Sequence, residues 1–182
     1  MRIVTQIDTL SDAQLAQRAL GGDRAAFGCL LGRHYDLMYR AAYRWSGRRA
    51  DAEDVAQDVC IRLPRALRSW SGKGRFETWL YKVVLNAARD QGRKLARDGK
   101  LREAWANEPA PDPGCDDEAA TRLWEAVRQL PPKQRMAVTL VYGEGVSHAE
   151  AAEAMDCAEA TVSYHVHAAR ARLKTLMEEE AA

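Results

Sequence analysis

Residues 147–176 open Ser147-His148-Ala149-Glu150-Ala151-Ala152-Glu153-Ala154-Met155, turn at Asp156-Cys157-Ala158-Glu159, and continue through Thr161-Val162-Ser163-Tyr164-His165-Val166 to Leu176. Ser147 and Glu150 form a capping box, a serine that caps a helix and a glutamate three residues on that reaches back. A short helix therefore runs through Met155, and a longer one starts at about Ala160. In the longer helix Val162, Val166, Ala169, Leu173 and Leu176 recur at alternating intervals of four and three, which places them in one buried stripe. A short capped helix, a tight turn and a long amphipathic helix make a helix-turn-helix, a motif whose second helix enters the DNA major groove. Its exposed N-terminal face carries Ser163, Tyr164 and His167, with Arg170 and Lys174 one and two turns further on. The competing reading of the pattern alone is a helical hairpin that only packs.

Working outward, the helical period continues and no strand alternation is found. Upstream of the motif, a helix from Lys133 to about Tyr142 follows the Pro131-Pro132 pause and yields to Gly143-Glu144-Gly145. Helices in this half begin near Asp116. Before them, Asn107-Glu108-Pro109-Ala110-Pro111-Asp112-Pro113-Gly114 has three prolines in five positions and reads as a linker. In the N-terminal half, Ser11-Asp12-Ala13-Gln14 opens a short helix ended by Gly21-Gly22. Asp23 caps a second helix reaching Gly47, with Phe27, Leu30, Leu31, Met38, Ala41, Ala42 and Trp45 on its apolar face. A third helix from about Ala50 to Leu67 buries Val55, Val59, Leu63 and Leu67, and Pro64 is expected to kink or shorten it. Residues 69–75 form a Gly-containing loop, and a fourth helix begins near Phe76. The expected fold is all-α: a helical domain over 11–95, a flexible acidic Pro-rich linker over 96–116, and a helix-turn-helix domain over 117–178.

The chain has 182 residues, a formal charge of +1, 47% apolar and 29% charged side chains, the composition of a folded globular chain. That near-zero charge is a sum of unlike parts: residues 1–95 carry +7, 96–118 carry −4 and 119–182 carry −2. The run 51–58 holds four acids and no base, whereas 73–102 holds nine bases against three acids. An acidic patch beside a basic stripe points to two partners of opposite charge. No apolar run reaches the roughly 18 residues of a membrane span, and the N-terminus lacks the apolar core of a secretory signal, so a cytoplasmic protein without membrane insertion is expected. The four cysteines are scattered with no Cys-x-x-Cys pair, which argues against a disulfide scaffold or a zinc site. Gly72-Lys73-Gly74 lacks the remainder of a phosphate loop. His165 and His167 are two apart, and Cys29 and His34 five apart, spacings unsuited to metal ligation on one helix face. We expect no catalytic residues, no metal and no cofactor.

Two blocks of the N-terminal half, Asp51-Ala52-Glu53-Asp54-Val55-Ala56-Gln57-Asp58-Val59 and Phe76-Glu77-Thr78-Trp79-Leu80-Tyr81-Lys82-Val83-Val84-Leu85-Asn86, resemble region 2 of the extracytoplasmic-function (ECF) sigma factors. Leu130-Pro131-Pro132-Lys133-Gln134-Arg135 and Met155-Asp156-Cys157 through Thr161-Val162 resemble their region 4. The resemblance implies a promoter-specificity subunit of bacterial RNA polymerase and not an enzyme. It implies that Asp51, Glu53, Asp54, Gln57 and Asp58 dock on core RNA polymerase. It further implies that Ser71, Lys73, Arg75, Phe76, Trp79, Lys82, Asn86, Arg89 and Arg93 engage the −10 element of promoter DNA, with Trp70 or Phe76 as apolar surface for an unstacked base. On the same grounds Thr161, Ser163, Tyr164, His165, His167, Arg170 and Lys174 face the −35 element. An anti-sigma factor is the implied further partner. Pro64 and Cys60 stand where the family usually has bulky apolar or aromatic residues, and the 163–168 stretch has fewer cations than is usual. The rival reading is a two-domain helix-turn-helix regulator that never binds core polymerase.

Overall fold

A computed structural model describes residue 7, residues 9–97 and residues 118–180, the side chains of 179 and 180 excepted. All regular structure among the described residues is helical. Helix α1 (Asp12–Leu20) opens on the expected capping box, with Gln14 N–H donating to Ser11 Oγ and Ser11 N–H donating to Gln14 Oε1 at 2.9 Å. Asp23 caps α2 (Arg24–Ser46) by accepting from the Ala25 and Ala26 N–H groups, both at 3.0 Å. The Ala26 N–H bond, with the Arg18 guanidinium beside it, holds this carboxyl below the usual aspartate range. Gly47 ends α2 at φ 72°, a left-handed position that a Cβ would strain.

Helix α3 (Arg49–Ala66) carries Pro64 in its last turn and passes directly into the 3-10 turn Leu67–Ser69. The proline therefore does not cut the helix short at its own position. It removes one late ladder bond where the helix is already tightening. Helix α4 (Phe76–Arg97) follows the loop. Leu30, Met38 and Ala41 of α2, Val55, Val59 and Leu63 of α3, and Leu80, Val84 and Leu85 of α4 meet in one buried core. Burying each of the larger of these side chains contributes about 1.5–3 kcal/mol of transfer free energy. A polar clamp ties α1 to this bundle: Asp12 accepts from His34 Nε2 at 2.8 Å and from Arg33 Nη1 at 3.0 Å.

The second domain comprises α5 (Glu118–Arg128), α6 (Pro132–Val138), α7 (His148–Met155) and α8 (Glu159–Glu180). The helix expected to run to Tyr142 is α-helical only to Val138, and Thr139–Gly143 continues it as a π turn. There Glu144 N–H reaches back five residues to the Thr139 carbonyl at 3.0 Å. Val127, Leu130, Val138 and Ala169 form a small core of this domain, with Trp124 and Leu173 at its edge. The linker reading at 96–116 falls, from residue 98 on, outside the described residues. Unanticipated by the sequence, the two helical domains pack on each other. Met136, Leu140, Val146, Ala151, Ala154, Val162 and Val166 join the same buried cluster as the α2–α4 core.

Candidate functional site

The acidic stretch lies on α3, whose buried stripe Ala52, Val55, Ala56, Val59 and Leu63 fixes which residues face outward. Asp54 and Gln57 are fully on the outside, while Glu53 and Asp58 are paired with Arg49 at 2.9 Å and with Arg62 at 2.8 Å. Asp51 is turned partly inward toward Arg48 at 3.5 Å, and burial pushes its carboxyl above the usual range. One turn beyond Asp58, Ile61 is 79% exposed on the same face. Sequence reasoning missed Ile61. Its signal is an apolar residue standing off the 55–59–63–67 stripe and therefore aimed at solvent.

The loop between α3 and α4 stands on an aromatic cluster. Phe76 is buried with its ring 5.0 Å from His34, 5.2 Å from Trp70 and 5.3 Å from Trp79. Expected as apolar surface for a base, Phe76 instead lies beneath the loop, because an aromatic opening an amphipathic helix gains most by entering the core. Trp70 and Trp79 are half-buried over it. Gly72 and Gly74 adopt φ of 72° and 71°, and the Lys73 N–H donates to Ser71 Oγ at 3.3 Å, so Ser71, Lys73 and Arg75 stand out on an exposed turn. Lys82, Asn86 and Arg89 project along one side of α4, and Arg93 is exposed further on.

On α8, Ser163, Tyr164, His167, Arg170 and Lys174 are exposed as expected, Tyr164 by 67%. Ser163 Oγ is 2.9 Å from His148 Nδ1, a bond that ties the two helices of the motif. Thr161 and His165 are half-buried; burial, with the Lys133 charge beside it, holds the pKa of the His165 imidazole below its usual range. Both line a cleft of about 280 Å³ opposite Lys82, Asn86 and Arg89, so residues from the α4 row and the α8 row face each other across one gap. Across that gap Lys82 Nζ lies 3.7 Å from Asp156; outside it, Arg75 Nη1 lies 3.2 Å from Glu150.

Sequence models of Sigma-70 region 2 and Sigma-70 region 4 match residues 30–98 and 120–173. The ECF RNA polymerase sigma factor SigM of Mycobacterium tuberculosis is 34% identical over 169 residues, covering 92% of this chain and 85% of that one. The chain belongs to the ECF sigma factors of the sigma-70 family. The ECF sigma-E factor of Escherichia coli K12 is 31% identical, covering 90% of this sigma factor and 92% of its own length. Among solved structures, CnrH in complex with the cytosolic domain of CnrY aligns at a TM-score of 0.68 and 26% identity, over 92% of this chain and 97% of that one. The sigma factor RpoE of Bartonella quintana, solved with the anti-sigma factor NepR, shares the fold at a TM-score of 0.65 and 24% identity, over 81% and 94%. The region 2 match spans the acidic face of α3 and the basic row of α4, and the region 4 match spans the helix-turn-helix. No helix among the described residues is long and apolar enough to cross a membrane.

Proposed function

We propose that this sigma factor docks on core RNA polymerase through the outer face of α3 and reads promoter DNA with α4 and α8. The observation that carries the reading is the composition of that outer face. Asp54, Gln57, Asp58 and Ile61 follow one another at helical spacing, Asp54, Gln57 and Ile61 exposed and Asp58 half-buried beside Arg62, a charged row ending in an apolar anchor. Such a face suits a basic helical partner with one apolar pocket, and a DNA-binding regulator has no use for it.

The −10 element engages Ser71, Lys73 and Arg75 on the loop and Lys82, Asn86, Arg89 and Arg93 along α4. A row of cations beside half-buried tryptophans suits a separated strand, whose phosphates need charge and whose bases need stacking surface. Phe76 supports the loop from below. The −35 element is read from Ser163, Tyr164 and His167, with Arg170 and Lys174 on the phosphates. The protein acts by binding, without chemistry of its own, in the cytoplasm. A protein that restrains it by covering both faces is supported by the aligned relative CnrH, which was solved in complex with the cytosolic domain of CnrY.

Affinity capture of core polymerase tests the reading. The tagged chain retains the core subunits stoichiometrically in low salt. A chain that binds double-stranded DNA yet retains no core subunit is the helix-turn-helix regulator instead.

A further inference from the structure

We propose that the free chain locks itself shut through Glu144, a carboxylate of the second domain captured by three side chains of the first. The Glu144 side chain is only 1% exposed although its backbone lies on a turn. Arg44 Nη1 is 2.6 Å from Oε1, Arg40 Nη2 is 3.5 Å from Oε2, and the Tyr81 hydroxyl donates to Oε2 at 2.9 Å. Arg44 also donates to the Gly143 carbonyl and lies 5.5 Å over the Trp124 ring. A reciprocal contact closes the other side, where Arg135 of the second domain lies 4.7 Å over the Trp45 ring of the first. A carboxylate is buried at such cost only where its partners satisfy it, and here Arg40, Arg44 and Tyr81 all come from the other domain.

The π turn makes the capture possible. A Cβ on Gly143 would come within 3.1 Å of Arg44 Cδ of the first domain, and within 2.9 Å of the Trp124 ring of its own domain. Only a glycine lets the turn press Glu144 onto Arg44.

The closure masks the DNA-facing row, a consequence that rests on the assignment proposed for α4. Arg75, already beside Glu77 of its own domain at 3.6 Å, meets Glu150 at 3.2 Å, and Lys82 faces Asp156, which stands in the left-handed conformation at φ 57°. Thr161 and His165 are turned into the same cleft. In this state Arg75 of the loop and Lys82 of α4 meet carboxylates of the second domain where promoter phosphates would be, and one side of α8 is turned into the cleft. The outward face of α3 is left open.

Two variants open the latch by different physics. Glu144→Gln keeps the shape and removes the charge; Gly143→Leu keeps the charge and crowds the Arg44 side chain of the first domain. The free full-length chains are compared by small-angle X-ray scattering, with circular dichroism to verify helicity, and by anisotropy of a fluorescein-labelled mixed-sequence single-stranded DNA at low salt. Both variants are expected to show a larger radius of gyration than the parent and to bind the DNA about tenfold more tightly, the scale of a few recovered phosphate contacts. Variants as compact as the parent, or a parent as extended as the variants, overturn the latch. Expansion without tighter binding overturns the masking. Promoter binding by holoenzyme carrying Arg75→Ala and Lys82→Ala is measured alongside, so a failure of the α4 assignment is read separately from a failure of the latch.

Discussion

Reversing two charges on α3 separates folding from docking. In the variant Asp54→Lys with Asp58→Lys, Asp54 is exposed and the Asp58 carboxylate makes a 2.8 Å pair with Arg62 between side chains 39% and 68% exposed. Losing such a pair costs about 0.3–0.5 kcal/mol, and a lysine four residues before Arg62 adds a repulsion of similar size. Lysine is the better helix former, which offsets part of this. The fold should change by less than about 1 kcal/mol, or about 2–4 °C in Tm for a chain of this length. At an interface with a basic partner the same reversal places like charges together, at a cost of several kcal/mol. Taking that cost as about 3 kcal/mol, Kd for core polymerase rises about two orders of magnitude. Thermal unfolding by circular dichroism and equilibrium titration of labelled chain with core polymerase measure the two quantities. An unchanged Kd with an unchanged Tm would refute the assignment of this face.

Further outcomes follow from the same geometry. Ser163→Ala, Tyr164→Ala or His167→Ala each lowers discrimination for the preferred −35 sequence by about 1–3 kcal/mol with little change in salt slope, whereas Arg89→Ala or Arg93→Ala flattens the slope; holoenzyme binding across a salt series distinguishes them. Burial first, and then the Glu144 charge, hold the Tyr81 phenol well above its usual range. Its contribution to the closed state is therefore complete below about pH 10 and is lost as pH rises beyond it, because the opened form releases the proton first; scattering between pH 9 and 11 shows expansion in the parent and a weaker trend in Tyr81→Phe. Limited proteolysis cuts first within 96–118, a stretch with three prolines and a net charge of −4, and leaves two resistant fragments that stay associated until the interface is opened; first cleavage inside α6–α8 would contradict the boundary.

What the sequence made legible is what short-range chemistry encodes. The Ser11–Gln14 and Ser147–Glu150 boxes, the Asp23 cap and the Gly47 stop are interactions over three or four residues, and each stands where the pattern predicts. The buried stripe of α8 is legible for the same reason, since periodicity is a local property. Contacts across the fold are not local. Glu144 and Arg44 are 100 positions apart, and no spacing rule connects them. The resemblance implies Trp70 or Phe76 as apolar surface for a base, but it carries no packing; only the rings of His34, Trp70 and Trp79 around Phe76 reveal that it faces inward. His34, rejected as a metal ligand on spacing, is a partner of Asp12, 22 residues away. The extent of the α6 helix failed for a related reason, since a π turn has the same composition as the α-helix it interrupts.

Mapping transcript 5′ ends in cells that overproduce this chain, with the Asp54→Lys, Asp58→Lys variant in parallel, tests the central claim most directly. The account predicts new start sites that share two upstream sequence blocks, at about one and about three and a half turns of DNA before the start, and that vanish with the variant. New starts that persist undiminished when α3 can no longer hold core polymerase would contradict it.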